Sequence, residues 1–391
     1  MNLSILLITF GLLLIAGLGL DALGRLTRLP RITLLVLFGL AIGPSGVDLL
    51  PISVTEWYDI VAKLALTMIA FLLGGELSRN TLTAHGRAIL AVSLSVTVVT
   101  VATIGLGLFA MGVGASLALL LAGIGLATDP AANRDVVQET GKTGRFAKTV
   151  LGVVAIEDAW GVIAFSIILG LVAGVGSGNG VADGLAEGLT EVFGAVLVGL
   201  AIGVPAAFAT GRIAPGEPTL VEALGVVLLC AGLSLHLEVS FLLAGMTAGM
   251  VVVNFARHHD YPFHEIEHIS WPFLVLFFVL AGATVDFDAL AGAGTLAAAF
   301  IVLRMAGRLL GGWLGGTVGG LPRREASLVG LALTPQAGVA LGMALVASEA
   351  TPAIGDTILV TTVATTIFFE LFGPLLTRAV LLQVYGRKHL S

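Results

Sequence analysis

Long apolar runs, broken by short polar connections, repeat from one end of this chain to the other. A bilayer-crossing helix needs about 20 mostly apolar residues. That length, walked along the sequence, predicts thirteen spans at roughly 3–24, 30–47, 59–77, 87–111, 115–137, 147–174, 188–210, 219–236, 239–256, 271–286, 291–319, 325–348 and 353–382. The first span lacks a basic start and a small-residue cleavage site, so it is expected to remain as a helix. The class this predicts is an all-α membrane protein folded as a single transmembrane domain.

Composition removes the alternatives. Only 11% of the 391 residues are charged, whereas a soluble domain carries about 25%. The hydrophobic set is 57%, and 52 glycines come on top of it. No soluble fold covers such a chain with a polar surface, which excludes soluble enzymes, nucleic-acid binders and disordered chains. The net charge is −6, and no basic tail offers itself to nucleic acid. The single Cys230 excludes a disulfide framework.

The few cations sort by loop. With the N-terminus outside, sixteen of the nineteen fall in inner connections or the inner tail: Arg25, Arg28, Arg31, Arg79, Arg87, Arg134, Lys142, Arg145, Lys148, Arg212, Arg257, Arg323, Arg324, Arg378, Arg387 and Lys388. Outer connections carry acids instead: Asp48, Glu56, Asp183, Glu187, Glu238, Asp286, Asp288, Glu349 and Asp356. The positive-inside rule then predicts the N-terminus out and the C-terminus in. A missed or invented span would scramble the sign of every later loop.

Three cations lie within spans. Lys63, near an outer helix end, can snorkel. Arg304 and Arg308 sit near the middle of the eleventh span, four residues apart and therefore on one helix face. The sixth span carries the adjacent acids Glu157 and Asp158. Ten residues from its inner end at 1.5 Å each, they lie about 15 Å deep, near the midplane. Each such charge costs about 2.5–3.5 kcal/mol on insertion scales, so the four are expected to form a buried ion-pair cluster. Adjacent helical positions point about 100° apart, so one carboxylate can face a cavity while the other faces a neighbouring helix. A lone buried carboxylate must take up a proton or a cation, which is the physical core of competitive exchange.

The fifth span contains Gly-Leu-Ala-Thr-Asp-Pro over 125–130, and the twelfth contains Gly-Leu-Ala-Leu-Thr-Pro-Gln over 330–336. Pro130 and Pro335 each remove a backbone donor and interrupt a helix in mid-membrane. They do so beside Thr128 and Asp129 in one case and Thr334 and Gln336 in the other. Matched interruptions in two repeats are the best sequence pointer to a transporter binding site.

At this point the residues resemble a family. The runs ATDPAAN and IEDAWGVIAF, with RMAGRLLGG, LALTPQAGVALGMAL, FFELFGPLLTR, LPRITLLVLFGLAIGPSGV and FLLGGELSRN, resemble the monovalent cation:proton antiporter superfamily in its bacterial Kef- and Nap-type branch, the sodium/hydrogen exchanger family. The resemblance implies inverted repeats with two crossing broken helices, no enzyme activity, and a homodimer in a bacterial-type inner membrane, in contact with lipid. It also implies a dimerisation subdomain about 1–77 and 219–286, a core about 87–174 and 291–382, and a linker helix about 188–210. By the same resemblance Asp158 matches the acid that binds cation or proton. Glu157 precedes it, Arg308 faces Glu157, and Thr128 and Asp129 line the unwound segment. Glu76 resembles a position facing the ion path. Arg304 joins the set as a second charge partner; Gln336, a candidate to orient the crossing ends, and the deeply placed Glu370 are accessory positions. No cofactor is called for beyond the transported Na+ or K+ and H+, with Asp158 as the cation's ligand. The rival reading is a sodium-coupled symporter of small organic anions, which would need more polar groups around a larger cavity.

Two further features carry blander readings. His264, Glu265 and His268 match the zinc-protease pattern H-E-x-x-H. The segment lies in a predicted inner loop with Trp271-Pro272 close behind and no third ligand in view, so it reads as an amphipathic lead-in to the tenth span. His258, His259, His264 and His268 are also candidates for an inner pH sensor. The glycine spacings GLLLIAGLG and GWLGGTVGG suit close helix packing in lipid without assigning a dimer face.

Overall fold

A computed structural model describes residues 3–27, 30–50, 57–77, 86–142, 144–176, 180–209, 219–256, 260–285, 294–336 and 338–386. Among them the chain forms fifteen helices and no strand: α1 Leu3–Thr27, α2 Arg31–Ile42, α3 Tyr58–Glu76, α4 Gly86–Ala110, α5 Ala115–Ile124, α6 Pro130–Thr140, α7 Arg145–Gly176, α8 Val181–Ala209, α9 Thr219–His236, α10 Phe241–Phe255, α11 Asp260–Ala283, α12 Gly294–Val318, α13 Arg323–Ala332, α14 Gly338–Ala350 and α15 Pro352–Tyr385. Seven of the described helices are long and apolar enough to cross a membrane, and six shorter ones are also apolar.

Several expectations fall outside these residues: Arg28, Glu56, Arg79, Arg212, Arg257, His258, His259, Asp286, Asp288, Arg387 and Lys388, and the side chains of Arg25 and Glu76. The backbone of Glu76 ends α3.

Two predicted boundaries move. The tenth span begins at Asp260 and not near 271, because Pro272 lies inside a continuous helix. The H-E-x-x-H segment is therefore helical rather than part of a loop. The seventh begins at Val181 and not near 188. Gly184, in the predicted connection, packs on the backbone of Gly170 and Leu171 of α7, and Gly188, the predicted first residue, packs on that of Ile167.

The chain divides into two compact units, Met1–Ser78 with Leu189–Ala291, and Arg79–Gly188 with Gly292–Ser391. In the first, glycines let backbones touch. Gly39 of α2 lies against the Val279 carbonyl of α11, and Gly282 of α11 lies against the Val36 carbonyl of α2. Phe71 of α3 stacks on Phe263 of α11 at 4.9 Å between ring centroids. The buried polar side chains of this unit, among them Thr33, Thr67, Ser234, Thr247 and Ser270, are uncharged.

The second unit is built around α12. Its glycines 307, 311, 315 and 319 recur every fourth residue and meet Thr100, Val96, Val92 and Ala88 of antiparallel α4. A Cβ at Gly311 would stand 2.7 Å from the Val96 Cα. Gly312 and Gly316 face Gly330 and Ala326 of α13 on another side. The GWLGGTVGG stretch thus packs helices within this unit. Such close contact in lipid comes from small residues rather than from hydrophobic exclusion. It seats α12, with both of its arginines fully buried, between two neighbours.

The two interrupted helices lie in the same unit. α5 and α6 have 10 and 11 residues, and α13 and α14 have 10 and 13. At 1.5 Å per residue each half is about 15–20 Å long, roughly half of a bilayer's 30 Å core. The breaks that Pro130 and Pro335 predict are therefore present.

Candidate ion-binding site

The first interruption follows from local chemistry. After α5 the chain tightens, with Leu126 N–H donating to the Gly123 carbonyl and Ala127 N–H to that of Ile124. Pro130 disfavours helical backbone at the residue before it, and Asp129 is extended at φ −124°, ψ 94°. Its Oδ1 accepts from Ala132 N–H at 3.0 Å, so Asp129 is the N-cap of α6. Asn133 Nδ2 donates back to the Asp129 carbonyl at 3.0 Å.

Thr128 is thereby turned towards α7. Its backbone N–H and its hydroxyl both donate to Asp158 Oδ1, at 3.2 and 2.7 Å. Asp158 is 1% exposed, and among the described residues its Oδ2 has no hydrogen-bond partner. Glu157 points elsewhere, as neighbouring helical positions must, and Arg308 Nη1 donates to its Oε1 at 2.5 Å with both side chains fully buried.

The two arginines divide the work differently from the sequence expectation. Arg308 pairs with Glu157, and its Nη2 also donates to the Leu126 carbonyl at 2.8 Å and to that of Gly125 at 3.2 Å. Arg304 departs from the predicted four-charge cluster: among the described residues its hydrogen bonds go to carbonyls and not to a carboxylate. Nε reaches Gly125 O at 2.9 Å, Nη2 reaches Ala127 O at 2.7 Å, and Nη1 reaches Thr334 O at 2.8 Å. Its guanidinium carbon lies 4.2 Å from the centre of the Phe369 ring. The reason is the supply of acceptors. A helix ending in mid-membrane exposes carbonyls that no water satisfies, and the planar fork of an arginine matches several at once. Arg304 thus ties the two interruptions to each other.

At the second interruption Pro335 packs on Gly373 of α15. Gln336 Nε2 donates to Thr366 Oγ1 at 3.4 Å, while its Oε1 has no partner among the described residues. Glu370 is buried one helical turn beyond Thr366. Sequence reasoning missed Asn133 and Thr377. The Thr377 hydroxyl lies 3.4 Å from Asn133 Oδ1 and 3.1 Å from the Ala332 carbonyl, and so bridges α6 and α13. For Thr377 a signal existed, a polar residue inside a helix long and apolar enough to cross a membrane; Asn133 sits beside Arg134 and Asp135 in the polar α6, where one more polar residue does not stand out.

Chemically, the first interruption places a buried carboxylate beside a hydroxyl. These hard oxygen donors suit a proton or an alkali cation, and the neighbouring acid is already neutralised by its own arginine.

Comparison with known proteins identifies the family. The family model described as sodium/hydrogen exchanger, transmembrane, matches residues 10–383. The ammonium/H+ antiporter subunit AmhT of Alkalihalophilus pseudofirmus is 22% identical over 369 residues, covering 93% of this chain and 91% of that one. The K+/H+ antiporter subunit KhtU of Bacillus subtilis is 22% identical over 312 residues, covering 77% and 76%. Among solved structures, the sodium proton antiporter MjNhaP1 of Methanocaldococcus jannaschii at pH 8 superposes with a TM-score of 0.81 at 20% identity, over 99% of this chain and all of that one. Organic-anion symport is not favoured by these matches. With a family match across nearly its whole length, the chain is an integral membrane protein and belongs to the sodium/hydrogen exchanger family of cation/H+ antiporters.

Proposed function

We propose that this protein exchanges Na+ or K+ for H+ by alternating access around Asp158. The observation that carries the reading is the double donation from Thr128 to one oxygen of a buried carboxylate whose other oxygen has no hydrogen-bond partner among the described residues. Deprotonated Asp158, helped by oxygens near Thr128, takes a dehydrated cation; alternatively it takes a proton. Either neutralises it, and only the neutral site crosses the hydrophobic barrier, since a bare carboxylate is too costly there. Glu157 stays charged against Arg308, which as an arginine keeps its proton. One cation therefore exchanges for one proton at Asp158.

The reading includes thirteen crossings, each interrupted pair counted once, with the N-terminus outside and the C-terminus inside a bacterial-type inner membrane. The second compact unit is the transporting core, and the first is the dimerisation region of a homodimer. The test is vesicle transport with Asp158→Asn across Li+, Na+, K+ and NH4+, the last because a relative is named for ammonium. Cation addition should no longer collapse an imposed pH gradient. Wild-type collapse by the variant would overturn the mechanism.

A further inference from the structure

The segment from His264 to His268 lies outside the ion-binding site described above. It forms the first turns of α11, with Ile266 buried and His264, Glu267 and His268 exposed. Four residues apart, the two imidazoles share a face. Their rings meet nearly perpendicular, 4.4 Å between centroids, and their Nε2 atoms lie 3.0 Å apart.

That separation is a chelating one. Two imidazole nitrogens 3.0 Å apart, each about 2.0–2.1 Å from one metal ion, subtend roughly 91–97° at it. This is the cis angle of tetragonal coordination and lies below the tetrahedral value, so it suits Cu2+ or Ni2+ better than zinc. A zinc protease would need a third protein ligand, and among the described residues no group of three or more His, Cys, Asp or Glu is placed to hold an ion. We propose that His264 and His268 form an exposed two-nitrogen site for Cu2+ or Ni2+ at the head of α11, with water completing the coordination.

Binding requires both Nε2 lone pairs, so each ring carries its proton on Nδ1 when the ion is bound. The ion displaces whatever hydrogen bond the two rings share. A metal held across one turn fixes that turn, and with it Phe263, the residue before the first ligand, which stacks on Phe71. The binding is independent of Asp158.

The test uses the whole protein in detergent near neutral pH, purified without a polyhistidine tag. Calorimetric titration with NiCl2 and with CuCl2 should give saturable one-to-one binding. His264→Gln and His268→Gln should each weaken it about tenfold or more, because the second nitrogen of a chelate binds as an intramolecular ligand. Electron paramagnetic resonance of the Cu2+ complex of the unaltered protein should show coupling to two imidazole nitrogens. A Cu2+ spectrum without two such nitrogens, or single variants that bind as tightly as wild type, would overturn the site. Metal-free variants should exchange cations at wild-type rates, which separates this test from the Asp158 reading.

Discussion

The two interrupted helices begin from nearly the same sequence and arrive at different chemistry. Both have a glycine five residues before the proline, and both place a threonine in the break. In the first, one residue separates Thr128 from Pro130; in the second, Thr334 directly precedes Pro335. The extra residue is Asp129, which caps α6 and leaves the Thr128 N–H and hydroxyl facing Asp158. Thr334 has no such outlet. Its hydroxyl donates back to the Leu331 carbonyl at 2.8 Å, and its own carbonyl is taken by Arg304. A shift of one position in the threonine separates a break that presents its threonine's donors to a carboxylate from one whose threonine hydroxyl is bonded within its own turn.

Charge is divided with equal asymmetry between the arginines of α12. Among the described residues the Arg308 side chain bonds an acid and carbonyls of the first interruption, whereas that of Arg304 bonds helix-end carbonyls of both. The C-terminal end of a helix carries about half a negative charge, and a cation against two such ends serves as an ion pair with no carboxylate in it.

The largest way to break this contrast is Arg308→Ala. It strands the buried Glu157 without its counter-ion, so that the carboxylate is uncompensated or must take up a proton, a loss of about 3–5 kcal/mol, seen as a marked fall in detergent melting temperature. Replacing both partners, Glu157→Leu with Arg308→Leu, should recover much of that loss. Recovery should stop short of complete, because the carbonyl of Leu126 loses its Arg308 donor as well. Full recovery would mean that the carbonyl contacts of Arg308 contribute nothing. Arg304→Gln should come next. It strips three carbonyls in two interruptions and should lower exchange about tenfold or more, at about 1.5–3 kcal/mol for each hydrogen bond made by a charged group. Arg304→Lys keeps the charge without the fork and should fall between wild type and glutamine. If lysine restores wild-type exchange, charge alone is at work and the bridging geometry is not.

These assignments differ in how far the sequence carries them. The breaks at Pro130 and Pro335 were legible because proline removes a donor whatever surrounds it. The Glu157–Arg308 pair was legible because two charges at equal depth in lipid have few other partners. Arg304 carried the same signal and was read the same way, yet its partners are carbonyls, and a carbonyl leaves no mark on residue identity. The starts of α8 and α11 were misplaced for a related reason. Gly184 looks like a loop residue until it meets the backbone of α7, and Pro272 looks like a helix start until the turns before it prove helical. Tertiary contact decided each of these cases, and contact is what a single chain's pattern leaves open.

The finest test sets one threonine against the other. Thr128→Val keeps the shape of the side chain and the backbone N–H contact to Asp158 but removes the 2.7 Å donation from the hydroxyl. A hydrogen bond to a charged group contributes about 1.5–3 kcal/mol, so the cation concentration at half-maximal exchange should rise about tenfold or more. Thr334→Val removes only a bond within its own turn, and the same measurement should stay within about twofold of wild type, as for a typical neutral hydrogen bond of about 0.5 kcal/mol at the low end. Equal shifts in the two variants would mean that the repeats contribute alike to ion binding. A shift confined to Thr128→Val would place the discriminating contact in the one interruption where an aspartate separates the threonine from its proline.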